Sequence, residues 1–279
     1  MFSFLKKRKS TPSYEAPKTE KREYNFLRED ALALLQTIKS EFGLDYSKQE
    51  FVTLKKLETF AKANDFGSYR KLQEAINHNE TLKKELVNML TVNESYFWRE
   101  NAQIEAFLEL AKEQSHIEVL SAPCATGEEV YTLAIYIKEK LPKKRCKILG
   151  IDINTDALTI AQTALYSERS ISKIPSGVRS RYFFKESDFY LLDASIQECT
   201  EFRYANVFSD DFTRLGSFEF IFSRNMLIYF NDEEKKKALA QFHKLLKPGG
   251  YLFLGHADIS FVPERFEVYD LGLNIYKKG

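Results

Sequence analysis

Apolar positions recur at helical spacing from about Tyr24 to Leu90. Ala31, Leu32, Leu34, Leu35 and Ile38 form one stripe, and Phe51, Leu54, Leu57, Phe60 and Ala61 a second. Tyr69, Leu72 and Ile76 form a third, and Leu82, Leu86 and Leu90 a fourth. Gly43-Leu-Asp, Asn64-Asp65 with Gly67, and Asn77-His-Asn interrupt them. The pattern predicts an all-helical N-terminal domain over residues 24–90. From about residue 115 the period changes. Short apolar runs at 117–121, 147–152, 201–205, 218–223, 250–255 and 273–277 alternate with helical patterns at 128–140, 155–164 and 232–246. This alternation predicts an α/β domain over 115–279, a mostly parallel sheet with helices on both faces. Residues 166–200 break the rhythm. Pro175, Gly177 and a Tyr/Phe-rich run at 182–192 predict an inserted subdomain, with a helix at 176–183 and then a short hairpin. Residues 91–114 link the two regions.

Composition narrows the functional classes. The 279 residues carry a net charge of +1, which gives bulk nucleic-acid binding little support. Cys124, Cys146 and Cys199 are far apart in sequence, odd in number and without metal-ligand spacing. Neither a disulfide framework nor a metal site is expected, and a reducing cytoplasm is the natural setting. No run of eighteen apolar residues exists, so no membrane insertion is expected. Residues 1–23, with Lys6-Lys-Arg-Lys9 and two prolines, predict a flexible basic tail. A solvated tail is the favoured reading over contact with an acidic surface.

The candidate chemistry centres on Ser121-Ala-Pro-Cys-Ala-Thr-Gly-Glu-Glu-Val-Tyr-Thr132, a small-residue loop between an apolar run and a helical pattern. Open α/β sheets bind nucleotide-like ligands at such a turn. Its two acids, Glu128 and Glu129, argue against phosphate and for a cationic or hydroxyl-rich ligand. Asp152 ends the next strand, where a carboxylate commonly takes ribose hydroxyls. Its plainer reading is a helix N-cap, but Asn154 or Thr155 can serve that role. The run 218–222 delivers Ser223, Arg224 and Asn225 to the carboxyl edge, with Tyr229 one turn later. Core packing accounts for Met226, Leu227, Ile228 and Phe230, and poorly for Arg224 and Asn225. Lys247-Pro-Gly-Gly250 reads as a turn that stops a helix before a strand. Asn93-Glu-Ser-Tyr-Phe-Trp-Arg-Glu100 gathers three aromatics among polar groups at the joint between the regions. Capping by Asn93 or Ser95 would explain those two residues, but not Arg99 beside the only tryptophan.

Five segments in order carry a family resemblance: Asn93–Glu100, Ala125–Thr132, Asp152–Asp156, Ser223–Phe230 and Leu246–His256. From about residue 24 to the end the chain resembles the CheR-type chemotaxis receptor (glutamate O-) methyltransferases. The resemblance implies a Rossmann-like class I methyltransferase domain with a small β-subdomain insertion, preceded by the helical domain. It implies methyl transfer from S-adenosyl-L-methionine, leaving S-adenosyl-L-homocysteine, to glutamate side chains in cytoplasmic domains of methyl-accepting chemotaxis receptors. By motif, Asn93, Ser95 and Arg99 would touch the cofactor's amino-acid end or line the reaction centre, with Glu128 near that end. Asp152 would take the ribose, Asn206 and Val207 would frame the adenine, and Arg224 and Asn225 would border the cofactor. Tyr229 would face the transferred methyl. Lys55, Lys56 and Lys62, otherwise a solvated helix face, would meet the receptor.

The chain departs from the family pattern at Ala125 for Ser, Val130 for Pro, Trp98 for a smaller aromatic, and Gly255-His-Ala-Asp258 for Gly-His-Ser-Glu. The connection in the 182–195 hairpin is short and lacks the glycine with which some members dock on a receptor's C-terminal pentapeptide, so docking is expected to be pentapeptide-independent. A glutamate is already ionised at neutral pH, so carboxyl methylation requires no general base. The expected roles are therefore positional: Arg99 orients the acceptor and Tyr229 bonds near the methyl. Among rivals, a nitrogen methyltransferase lacks its Asn/Asp-Pro-Pro-Tyr motif, since this position reads Ser223-Arg-Asn-Met. A dinucleotide oxidoreductase lacks its glycine run. A non-catalytic cofactor-sensing scaffold on the same fold remains the alternative.

Overall fold

The computed structural model describes residues 24–279; the basic Lys6–Lys9 run lies outside them. The leader folds into α1 (Arg28–Phe42), α2 (Glu50–Ala63), α3 (Tyr69–His78) and α4 (Glu80–Leu90). Ser68 and Asn79 cap α3 and α4 by accepting the backbone N–H groups of Lys71 and Leu82. Ala31, Leu34, Leu35 and Ile38 are buried as the stripe predicts. Phe51 is an exception: it is 70% exposed, with the Lys55 ammonium 4.4 Å from its ring centre. It sits in the first turn of α2, beyond the reach of the neighbouring helices.

After α5 (Asn101–Lys112) come β1 (His116–Ser121), α6 (Glu128–Lys140), β2 (Arg145–Asp152), α7 (Thr155–Thr163), β3 (Leu165–Ser167) and the short α8 (Glu168–Ile171). Next are α9 (Ser176–Tyr182), β4 (Phe183–Glu186), β5 (Phe189–Leu192), α10 (Ala194–Gln197) and β6 (Thr200–Tyr204). The chain ends with β7 (Phe218–Ser223), α11 (Asp232–Leu245), β8 (Leu246–Leu254), β9 (Phe266–Asp270) and β10 (Ile275–Lys278). The main sheet runs β6-β2-β1-β7-β8-β10-β9. Its first five strands are parallel, and β10 and β9 add antiparallel. The order reverses at β1, so the carboxyl ends of β2, β1 and β7 open onto one crevice. Strands β3, β5 and β4 form a separate antiparallel sheet.

Alternation along the strands builds a core on each sheet face. Val119 packs with α5 and α6 on one face; Leu120 joins the leader helices on the other. The leader therefore shares one continuous apolar core with the sheet. Polar contacts fix its position: the Asn88 amide donates to Thr155 Oγ1 at 2.8 Å, and Asn206 donates to the Glu41 carbonyl at 2.8 Å.

One expectation changes, and two features lay outside the sequence pattern. Helix α11 stops at Leu245, and the Pro248-Gly-Gly segment is a bulge inside β8, not the helix-stopping turn. Phe218 pairs with Leu246 but Phe220 with Tyr251, so the extra residues loop out, with Gly249 at φ 72°. Lys278 closes the helix end, donating to the His243 and Leu246 carbonyls at 2.7 Å. Strands β3 and β9 carried no apolar run of their own. Finally, Cys146 and Cys199, distant in sequence, meet thiol to thiol at the starts of β2 and β6 as free cysteines. Among the described residues, no helix is long and apolar enough to cross a membrane.

Candidate functional site

The loop 122–127 is held from below by the sheet. Ala122 donates its N–H to the Phe222 carbonyl and Cys124 to that of Ile151, each at 2.8 Å. Gly127 starts α6 at φ 91°, and a Cβ there would come within 2.9 Å of Ala161 Cβ. No larger residue fits between α6 and α7. Asp152 is 6% exposed, and its carboxylate accepts the Ala125 N–H at 2.9 Å and the Asn154 N–H at 2.8 Å. Burial raises its pKa, and those amides oppose the rise. Asn154 caps α7, accepting from Ala157, so Asp152 is not the cap.

Two adjoining cavities sit over these strand ends, sharing Val92, Pro123, Ala125 and Asn225 as walls. The larger encloses about 970 Å³ with its open mouth. Its lining is mostly apolar, with Phe42, Leu44 and Phe230 on one side and Asp152, Asn93 and Asn206 as polar points. Val207, Tyr229 and Lys56 also line it. The smaller, about 510 Å³, is lined by charged and hydroxyl groups: Glu94, Ser95, Arg99, Glu129, Thr132 and Arg224. An extended ligand with a flat, largely apolar end, a hydroxyl-bearing middle and a zwitterionic end matches this division.

Left-handed backbone falls at the junction, at Ala125 and Asn225, and on either side of Arg99, at Trp98 and Glu100. Trp98, Glu100, Ala125 and Asn225 all have φ between 46° and 63°, a region non-glycine residues seldom adopt. Such outliers cluster where surrounding structure over-determines a site. The segment around Arg99 is pinned by Phe97, which is fully buried edge-on against Tyr166 and Phe183. Asn93 and Ser95 do not cap α5; Glu100, in the left-handed region, precedes it. Arg99 donates to the Glu94 carbonyl at 3.0 Å.

Of the two acids, the structure separates the roles. Glu128 lines neither cavity. It is 2% exposed and bonded by the Thr126 hydroxyl at 2.6 Å. Burial raises its pKa, against the Thr126, Ser95 and Ser170 hydroxyls. Glu129 faces the smaller cavity instead, one residue and roughly 100° further round the helix. Its carboxylate takes the Ser121 hydroxyl at 2.8 Å and pairs with Arg224 Nε. Arg224, with a side chain 4% exposed, also reaches the Arg99 carbonyl at 3.0 Å and Glu100 at 3.5 Å. It ties three segments together and leaves Glu129 neutralised. Tyr46 is a wall of the larger cavity that no sequence signal marked. Its hydroxyl is buried and finds no partner among the described residues, and burial drives its pKa upward.

Lys55, Lys56 and Lys62 do not form one free patch. Lys55 lies over Phe51, Lys62 pairs with Glu58, and Lys56 lines the larger cavity, 3.4 Å from the Met89 carbonyl.

The family model described as CheR methyltransferase, SAM binding domain, matches residues 93–273, which include Asn93, Arg99, Asp152, Asn225 and Tyr229 of the cavity walls. The chain belongs to the CheR methyltransferase family. It is 34% identical over 233 residues to a chemotaxis protein methyltransferase of Campylobacter jejuni, covering 82% of this chain and 87% of that protein. It is 35% identical over 185 residues to chemotaxis protein methyltransferase 2 of Vibrio cholerae, covering 62% and 64%. The Escherichia coli chemotaxis protein methyltransferase is 30% identical over 210 residues, covering 72% and 73%. This CheR-family chain is therefore an S-adenosyl-L-methionine-dependent methyltransferase, built on a Rossmann-like class I fold.

Proposed function

We propose that this enzyme methylates glutamate side chains in the cytoplasmic domains of methyl-accepting chemotaxis receptors, as the adaptation step of chemotaxis. The observation that carries the reading is the pair of cavities meeting at Ala125 and Asn225, one apolar and one charged, with Arg99 and Tyr229 on their walls. Asp152 would hold the ribose hydroxyls and Asn206 and Val207 the adenine. Asn93, Ser95 and Asn225 would contact the length of the cofactor. Glu129, and not Glu128, would stand nearest its amino-acid end, with its charge balanced by Arg224.

Bound here, S-adenosyl-L-methionine supplies an electrophilic methyl on a sulfonium. The acceptor glutamate is ionised at neutral pH, so no residue need remove a proton. Arg99 would orient that carboxylate, and Tyr229 would donate a hydrogen bond at the reaction centre. Opposite charges neutralise as the methyl moves, so a water-poor cleft favours the step. Alignment of this kind lowers barriers by up to roughly 7–11 kcal/mol.

The receptor, in the cytoplasm, would be met at the rim of α2 around Lys55, since Lys62 is paired with Glu58 and Lys56 lines the larger cavity. The β4–β5 connection is only Ser187-Asp188, which supports pentapeptide-independent docking. Incubation with radiolabelled S-adenosyl-L-methionine and receptor cytoplasmic domains tests the reading. Base-labile label on glutamate is expected. Alkali-stable label would mean nitrogen methylation, and absence of label across cognate receptors would mean a non-catalytic scaffold; either overturns it.

A further inference from the structure

Asp258 carries no net exposure, and its carboxylate is enclosed by backbone. One oxygen, Oδ2, accepts the N–H of Asn225 at 2.7 Å and that of Gly255 at 2.8 Å. The other, Oδ1, accepts the N–H of Ile228 at 3.3 Å, and the Leu227 N–H also points to the group. No Lys or Arg pairs with it among the described residues, so these amides alone offset the buried charge. Gly255 makes the approach possible: a Cβ there would sit 2.6 Å from Asp258 Oδ2 and 2.9 Å from Asn225 N.

Three of these amides, those of Asn225, Leu227 and Ile228, belong to the chain that runs from the end of β7 through the 3-10 turn Leu227–Tyr229; the fourth, Gly255, follows β8. Asn225 holds φ 60° within that chain and lines both cavities. Tyr229 stands at its end. The left-handed φ of Asn225 sets where the chain runs on to Leu227 and Ile228, so that conformer and the convergence of their N–H groups on Asp258 go together. This carboxylate reads the position of two cavity-lining groups without lining either cavity.

We propose that Asp258 is a positioning residue for methyl transfer, acting through the Asn225–Tyr229 backbone. The proposal rests on the reading of Tyr229 as a residue at the reaction centre. Replacing the carboxylate by an amide leaves one acceptor oxygen for four N–H groups and turns a donor toward the others, which frees the loop to shift. A displacement of about 1 Å at a reacting group costs on the order of 100-fold in rate.

The test is a double-mutant cycle in the full chain with Asp258→Asn and Tyr229→Phe, reading kcat and KM for receptor methylation and Kd for S-adenosyl-L-homocysteine by calorimetry. Asp258→Asn is expected to lower kcat by roughly 10–100-fold while receptor KM stays within error, and to add little once Tyr229 is already Phe. Asp258→Glu, which keeps the carboxylate, is expected to restore most of the rate, and Asp258→Ser carries the cycle if Asp258→Asn does not fold. Additive effects, or an unchanged kcat, overturn the proposal. Wild-type labelling reports on glutamate methylation independently, so a labelled receptor with an additive cycle fails this inference alone.

Discussion

The backbone N–H of Asp45 donates to the carbonyl of Tyr229 at 2.9 Å. One belongs to the turn after α1 and the other to the chain after β7. The helical leader is thus bonded directly to the residue expected at the reaction centre, and it closes the larger cavity from above. Gly43 allows the approach. It ends α1 at φ 74°, and a Cβ there would lie 2.3 Å from Phe208 Cε2 and 3.2 Å from Phe230 Cε1. Gly43→Ala is therefore expected to destabilise the protein by about 1–3 kcal/mol and to weaken cofactor binding. Urea denaturation and calorimetry check both; an unchanged midpoint with unchanged affinity refutes the coupling.

Arg224 is expected to act as a clamp more than as a ligand group. Arg224→Met leaves Glu129 and Glu100, with side chains 11% and 20% exposed, lacking their cation. Breaking such a buried pair costs about 3–5 kcal/mol. Arg224→Lys should recover little, because one ammonium cannot span Glu129 and the Arg99 carbonyl together. Chemical denaturation of the two variants decides it. A Lys variant as stable as wild type would contradict the clamp.

Much of this architecture is legible in the sequence, and the limits follow from geometry. The change of hydrophobic period at residue 115 separates leader from sheet, because each period buries one face. Asp152 and Asn225 stand out as polar residues ending apolar strands. Glu128 and Glu129 do not separate by pattern: adjacent residues on a helix point in different directions, and only the docked helix shows which faces the cavity. The partners of Arg224 lie 95 and 125 residues away, beyond any local spacing. Tyr46 reaches the site through packing of the leader, which no motif encodes. Strand β9 carries exposed Val268 and Tyr269 at a sheet edge, so it lacks the apolar run of a central strand.

Tyr46→Phe removes a hydroxyl that has no partner among the described residues. Unfolding free energy without ligand is expected to stay level or rise, since an unsatisfied buried donor is lost. If the hydroxyl meets the cofactor, affinity falls by about 1 kcal/mol, roughly fivefold. A thermal shift series with S-adenosyl-L-homocysteine separates the two. Equal shifts in both proteins would assign Tyr46 to packing only.

Arg99→Ala should leave cofactor affinity largely intact while cutting kcat on the order of 100-fold, because the guanidinium is assigned to the acceptor carboxylate. Single-turnover methylation with saturating cofactor isolates the step. An unchanged rate removes Arg99 from the mechanism.

Asp258 makes activity and stability respond to pH in opposite senses. Burial raises its pKa from 3.8 to about 6 in the fold, although the amides of Asn225, Gly255, Ile228 and Leu227 oppose the rise. Between those values the native state binds more protons than the unfolded chain. This group's stabilising contribution is thus complete below about pH 4 and is lost as pH rises through about 6, by roughly 3 kcal/mol. The cradle needs the ionised form, so kcat should fall as pH drops below about 6. Tyr229, whose pKa is itself raised by burial and by Asp258, stays protonated throughout this range. His256 lies two residues away and is exposed, so the profile is measured with His256→Gln as the background. The acid limb should persist in that background and disappear on adding Asp258→Asn. A limb that disappears with His256→Gln alone would assign the titration to the imidazole instead.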